Sequence, residues 1–184
     1  SFGTSDDDIT RNHLTYLEEL IEFEGPDTIA AMFVEAVTGT NGVLPPPKGW
    51  LKGLKALLEK YGILMVCDEV MAGFGRTGKW FSFEHAGIVP DIVTMAKALT
   101  NGSIPMGAVA VKDDIYDVIT DKTAMGGIEL FHGYTYSGHP VGAAIALETL
   151  DIYDEMDLPN HDQRLGAHLE KRLQPLNQAP HVGE

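Results

Sequence analysis

The run ILMVC at residues 63–67 is continuously apolar and stops on two adjacent carboxylates, Asp68 and Glu69. A strand with one wet face alternates apolar and polar residues. A run with no polar member suits a strand covered on both faces, as in parallel sheets flanked by helices. The surrounding sequence fits such a sheet. Ser5 followed by three aspartates supplies a cap and negative charge for a helix N-terminus. Leu14, Leu17, Leu20 and Ile21 then recur at helical spacing, and Gly25-Pro26 ends the helix. Residues 29–37 (IAAMFVEAV) read as a strand, and 39–49 (GTNGVLPPPKG) as a rigid loop. Leu51, Leu54, Leu57 and Leu58 form one face of a second helix, with Gly62 as its stop. Short strands follow at 91–96 and 107–111, then a helix over 139–155. Strands interleaved with helices predict an α/β fold built on a parallel sheet, as one domain or part of one. The last ten residues, PLNQAPHVGE, read as unstructured.

In an open α/β sheet, ligands bind just beyond the carboxyl ends of the strands. The acid pair therefore either begins a solvated loop or belongs to a ligand site. Gly73, Gly75 and Gly78 match G-x-G-x-x-G, but a dinucleotide fingerprint joins a strand directly to a helix. Here residues 68–72 intervene, and KWFSF at 79–83 is a poor helix start. The glycines read instead as a backbone turning tightly past a neighbouring group. The histidines show no H-x-x-x-H pattern and Cys67 is the single cysteine, so no metal-ligand spacing is present. There is no G-x-S-x-G nucleophile elbow.

Composition narrows the partners. With 27 acidic against 13 basic residues the formal net charge is −14, which argues against nucleic acid. One cysteine cannot form an intrachain disulfide, and a reducing compartment is expected. Inside an apolar run, Cys67 reads as a packed small hydrophobe. No segment reads as a bilayer span or signal peptide, so the cytoplasm is the expected location.

Lys97 stands at the end of the apolar stretch IVTMA, residues 92–96. Burying an ammonium is costly. Such a lysine either snorkels to solvent or is desolvated and becomes a nucleophile able to form a Schiff base. Asp68 and Lys97 end successive strands, which brings them to the same edge of a parallel sheet. An acid for a pyridinium nitrogen and a lysine for an aldehyde are the two protein groups that pyridoxal phosphate requires.

The stretch VCDEVMAGFGRTGKWFSFEHAGIVPDIVTMAKALTNGSIPMGAV, residues 66–109, closely resembles the signature of class III pyridoxal-phosphate-dependent aminotransferases. The resemblance extends to residues 29–49 and to FHGYTYSGHP at 131–140. It implies the large domain of the fold type I transferases, a mostly parallel sheet flanked by helices. It further implies that Lys97 bonds to the cofactor aldehyde and then shuttles the substrate proton, and that Asp68 pairs with the protonated ring nitrogen. Val70 would pack on the ring, and Glu35 would order the site beside Asp68. Thr135, with Tyr134 next to it, would bind the cofactor phosphate of a neighbouring subunit, which implies a homodimer.

The implied reaction moves an amino group from an amine or ω-amino acid, such as β-alanine or taurine, to a keto acid such as pyruvate. An aminomutase or racemase of the same family keeps the cofactor, and a non-catalytic scaffold would leave Lys97 a surface residue. Ala36 and Ala98 stand where the family commonly has proline and glycine. Thr40 replaces a glutamate of the ornithine and γ-aminobutyrate branches, which argues against those two substrates. The chain lacks an initiator methionine and reads as the middle of a longer one. The resemblance puts the segment that binds the cofactor phosphate and the ring-stacking aromatic upstream, and the small domain downstream. On its own this stretch is expected to hold the cofactor weakly and not to turn over.

Overall fold

Among the described residues, three of the four strands run parallel, and the reason is in their connections. The computed structural model describes residues 5–121, 130 and 132–182. Strands β1 (Ala31–Glu35), β2 (Leu64–Asp68), β3 (Ile92–Met95) and β4 (Ala108–Val111) lie side by side in chain order. β1, β2 and β3 are parallel, while β4 is antiparallel to β3. A parallel return needs a crossover, usually a helix. Between β1 and β2 that helix is α2 (Trp50–Lys60), and between β2 and β3 it is a long loop with a short 3-10 helix, Ser82–Ala86. Between β3 and β4 there is only the 3-10 turn Lys97–Leu99, so the last strand turns back beside its neighbour.

Helix α1 (Asp6–Glu24) begins as its sequence requires. Ser5 is extended and its side chain accepts from the Asp8 N–H, with Asp6, Asp7 and Asp8 in the first turn. Gly25, at φ +87°, ends the helix. The inner face carries Leu14, Leu17 and Ile21 against Leu51, Leu54 and Leu58 of α2, whereas Leu20 is 41% exposed. Helices α3 (Asp113–Asp121), α4 (Pro140–Glu155) and α5 (Leu158–Leu173) follow β4. Among the described residues, α3 and α5 bury none of their own. The tail read as unstructured holds a short 3-10 helix, Gln174–Gln178.

The core lies against one face of the sheet. Met32, Val34, Met65, Cys67 and Val93 pack with α1 and α2, while Met95 and Ala108 pack with Ala146 and Tyr153 of α4. Side chains alternate along a strand, so Leu64, Val66 and Asp68 point to the other face. There Val66 is buried, yet its register partner Phe33 is 73% exposed. The covering that an unbroken apolar run predicts is therefore complete only at the centre of β2. Among the described residues, no helix is long and apolar enough to cross a membrane.

The glycine stretch is a turn, as expected, and not a strand-to-helix junction. Phe74 N–H donates to Trp80 O (2.6 Å) and Gly75 N–H to Lys79 O (3.1 Å), with Gly75 and Gly78 both at positive φ. Gly73 is there for proximity: a Cβ added to it would stand 2.8 Å from the Glu69 carbonyl oxygen. Gly73→Ala is expected to destabilise the chain by about 1–3 kcal/mol, because backbone must move to admit one methyl. Urea unfolding checks this, and a variant as stable as the parent would show that the turn relaxes freely.

Candidate active site

Strand register sets the site. Glu35 of β1 is the Cα partner of Asp68 on β2, and Asp68 is the partner of Thr94 on β3. These three residues form a polar row across the carboxyl ends of the parallel strands, on the face opposite the core. Lys97 follows three residues beyond Thr94. The structure thus brings Glu35, Asp68 and Lys97 to one sheet edge, where parallel sheets bind ligands.

Each side chain is held by its own local geometry. Asp68 is half-buried and its Oδ1 accepts from the Val70 N–H at 2.9 Å. Glu35, also half-buried, accepts at Oε2 from the Gly39 N–H at 2.9 Å. Lys97 is exposed, so of the two readings of this lysine the chain displays the solvated one. Its backbone is the unusual part: φ is +47°, in the left-handed region that favours glycine. The turn beneath it is fixed from several sides. Leu99 and Thr100 are buried, Thr100 Oγ1 donates to Ile104 O (2.7 Å), and the Tyr153 hydroxyl of α4 donates to Ala98 O (2.9 Å).

Glu69, the second acid of the opening pair, does not share the edge. It is fully buried and bonded to Ser82 and Phe83. Nothing in the local sequence announces that bond, because its partners lie 13 and 14 residues away. Tyr153 is likewise a long-range support, 55 residues from Ala98. Cys67 is the packed hydrophobe expected: burial, together with the Glu69 charge, pushes its thiol up to about 12. Among the described residues, no group of three or more His, Cys, Asp and Glu could hold a metal ion.

Thr135 and Tyr134 stand elsewhere. With Ile104, Met106, His132 and His139 they line an open cavity of about 720 Å³, and Glu35, Asp68, Val70 and Lys97 are not among its lining residues. The Tyr134 ring lies against that of His132, centroids 4.0 Å apart and tilted by 35°, and the Tyr134 N–H donates to His132 Nδ1 (3.0 Å). His139 caps α4 through its side chain. Phe131, the first residue of that motif, lies outside the described residues. A second cavity, about 700 Å³, is lined by Pro45, Pro46, Pro47, Leu51, Thr77 and His85 among others, and it too excludes Asp68 and Lys97.

A mostly parallel sheet flanked by helices, with acids and a lysine at its carboxyl edge, defines an α/β protein. The chain belongs to the class-III aminotransferases: the family model described as Aminotransferase class-III matches residues 2–184. It is 41% identical over 183 residues to an uncharacterized aminotransferase of Sinorhizobium fredii, covering 99% of this chain and 39% of that protein. It is 46% identical over 166 residues to an omega-aminotransferase of Caulobacter vibrioides, covering 90% and 38%. A mitochondrial gamma-aminobutyrate transaminase of rice is 41% identical over 182 residues, covering 99% and 35%. Among solved structures, a thermostable (S)-enantioselective omega-transaminase from Thermomicrobium roseum superposes with a TM-score of 0.93 at 43% identity, over 99% of this chain and 40% of that one. The chain thus spans about two fifths of the length of these relatives, and the fold type I architecture is the one they share with it.

Proposed function

We propose that this chain is the lysine-bearing core of an aminotransferase that uses pyridoxal 5'-phosphate to move an amino group from an amine or ω-amino acid to a keto acid such as pyruvate. The observation that carries this reading is the register Glu35–Asp68–Thr94, with Lys97 three residues on. It sets a carboxylate and a primary amine on neighbouring strand ends, which is the donor set that a pyridinium nitrogen and an aldehyde need. When bound, pyridoxal phosphate supplies a ring that takes up the negative charge developing at the substrate carbon.

The chain's own residues do the rest. The Asp68 carboxylate, oriented by the Val70 N–H, would keep a proton on the ring nitrogen by opposite charge. Lys97 would hold the cofactor at its aldehyde, and its Nζ would be the base that takes and returns the proton at the substrate carbon. Its attachment to the site supplies proximity as well as basicity. Glu35 steadies the edge beside Asp68, and Val70 offers an apolar surface to the ring. Thr135 and Tyr134 are assigned to the cofactor phosphate of a neighbouring subunit, making the working unit a homodimer. Their separate cavity supports that assignment.

The relatives named omega-aminotransferase and gamma-aminobutyrate transaminase support donors whose amine is not on the carbon next to a carboxylate. Thr40, exposed where the γ-aminobutyrate branch has glutamate, favours β-alanine, taurine or simple amines among them. The acidic balance and the single buried thiol keep the cytoplasm as the proposed location.

The test is chemical. The purified chain is incubated with pyridoxal phosphate, reduced with borohydride and digested, and the modified lysine is mapped by mass spectrometry. Modification concentrated at Lys97, and weakened by Asp68→Asn, is the expected result. Label spread evenly over exposed lysines such as Lys48, Lys52 and Lys79 would overturn the assignment.

A further inference from the structure

One buried carboxylate ties the end of β2 to everything around it. Glu69 is 0% exposed. Its backbone N–H donates to Thr94 O at 2.9 Å, joining it to the strand that leads into Lys97. Its carbonyl accepts from the Gly73 N–H at 2.9 Å. Its side chain takes three more donors: Ser82 Oγ at 2.6 Å and Phe83 N–H at 3.0 Å on Oε1, and Ser82 N–H at 3.0 Å on Oε2. Burial raises its carboxyl above the ordinary range, against the pull of those donors.

Capping the 3-10 helix at Ser82 does not by itself call for this arrangement, since a local serine or aspartate would do it at a lower desolvation cost. A glutamate reaching from residue 69 to residues 82 and 83 closes the whole glycine turn beneath the strand end. Asp68 and Glu69 leave the strand on opposite sides, so the clamp reaches Asp68 through the backbone. The link is the Val70 N–H, which bonds Asp68 Oδ1 only while the 68–70 backbone keeps its shape.

We infer that Glu69 is a positioning residue for Asp68: by clamping Ser82 and Phe83 to the strand end, it fixes the turn whose Val70 N–H orients the Asp68 carboxylate. This rests on reading Asp68 as the group that faces the cofactor ring, yet the clamp itself is measurable without cofactor.

Amide hydrogen exchange is followed in the cofactor-free chain and in Glu69→Gln, which keeps the size of the side chain but sets an amide NH₂ among N–H and O–H donors. Exchange is expected to accelerate about tenfold at Val70 as well as at Ser82 and Phe83, the scale of losing one hydrogen bond to a charged group. Ser82→Ala, which removes a single donor, gives a smaller change in the same three amides and carries the test if Glu69→Gln fails to fold. Pyridoxal phosphate affinity is expected to fall in Glu69→Gln, while in an Asp68→Asn background the same Glu69→Gln change is expected to lower it no further. Faster exchange at Ser82 and Phe83 with Val70 unchanged would overturn the proposal, leaving Glu69 an anchor of the turn alone. If Val70 responds but even the parent chain binds no pyridoxal phosphate, the clamp on Asp68 stands and this stretch on its own is not a working cofactor site.

Discussion

Asp91→Asn is expected to destabilise the chain by about 3–5 kcal/mol, the scale of breaking a buried ion pair from one side. Asp91 is 8% exposed and Lys55, its partner on α2, is 7% exposed. Asp91 Oδ2 accepts from Lys55 Nζ (2.8 Å) and from the Met65 N–H (2.8 Å), while Oδ1 accepts from Lys112 Nζ (2.7 Å). The same residue donates its own N–H to Met65 O and accepts from the Lys112 N–H through its carbonyl. Helix α2, strands β2 and β3 and the end of β4 therefore meet at one carboxylate. Asparagine keeps an acceptor but turns an NH₂ toward a lysine and leaves Lys55 with only Glu59, at 3.3 Å, for charge.

The effect carries a pH signature. Burial works against the charge on Asp91, but the hydrogen bonds from Lys112, Lys55 and the Met65 N–H outweigh it and hold the carboxyl at about 2, below its ordinary 3.8. A carboxyl lowered on folding stabilises above its unfolded pKa and loses that contribution as pH falls through the folded one. The gap between parent and Asp91→Asn is thus expected to be full near neutrality and to narrow by about 2 kcal/mol as pH falls below 3.8 and through about 2. Urea unfolding at a series of pH values measures it. Equal stability at pH 7 would mean that both lysines reach water without loss.

The sheet edge was legible in the sequence because its signals are local. An apolar run ending on Asp68, and a second ending just before Lys97, each mark a strand and its carboxyl end. Parallel pairing then aligns the two without further information. The place of Glu35 beside Asp68 is expected from the family resemblance, and the strand register agrees with it. What escaped detection acts at long range. Lys55, Asp91 and Lys112 look like ordinary surface charges, and only the folded chain brings them within 3 Å. Glu69 was paired with Asp68 by adjacency, whereas strand alternation sends the two to opposite faces with different tasks. The reversal of β4 depends on the segment after Lys97 being too irregular to form a crossover helix, which periodicity over so few residues does not decide. The left-handed backbone of Lys97 had no signal either, since lysine is not a residue chosen for that conformation.

Lys97→Gly is expected to push stability and chemistry in opposite directions. A left-handed backbone at a residue with a Cβ costs about 1–2 kcal/mol. Lys97 holds φ +47° because its surroundings impose it: its carbonyl accepts from the Thr100 and Gly102 N–H groups, Ala98 O is bonded by Tyr153, and Leu99 is buried. Its side chain is exposed, so truncation removes little packing. Glycine relieves the strain, though part of that gain is offset by its greater freedom in the unfolded chain. Lys97→Ala keeps the Cβ and the strain, which makes it the proper reference. The glycine variant is expected to be more stable than the alanine variant by about 1 kcal/mol in thermal or urea unfolding, while both lose covalent capture of pyridoxal phosphate entirely. Equal stability of the two would show that the positive φ is adopted without cost. A gain confined to glycine would mean that folding alone favours another residue here. An amine at this position would then be held against the preference of the backbone, as expected of a group kept for the chemistry at the sheet edge.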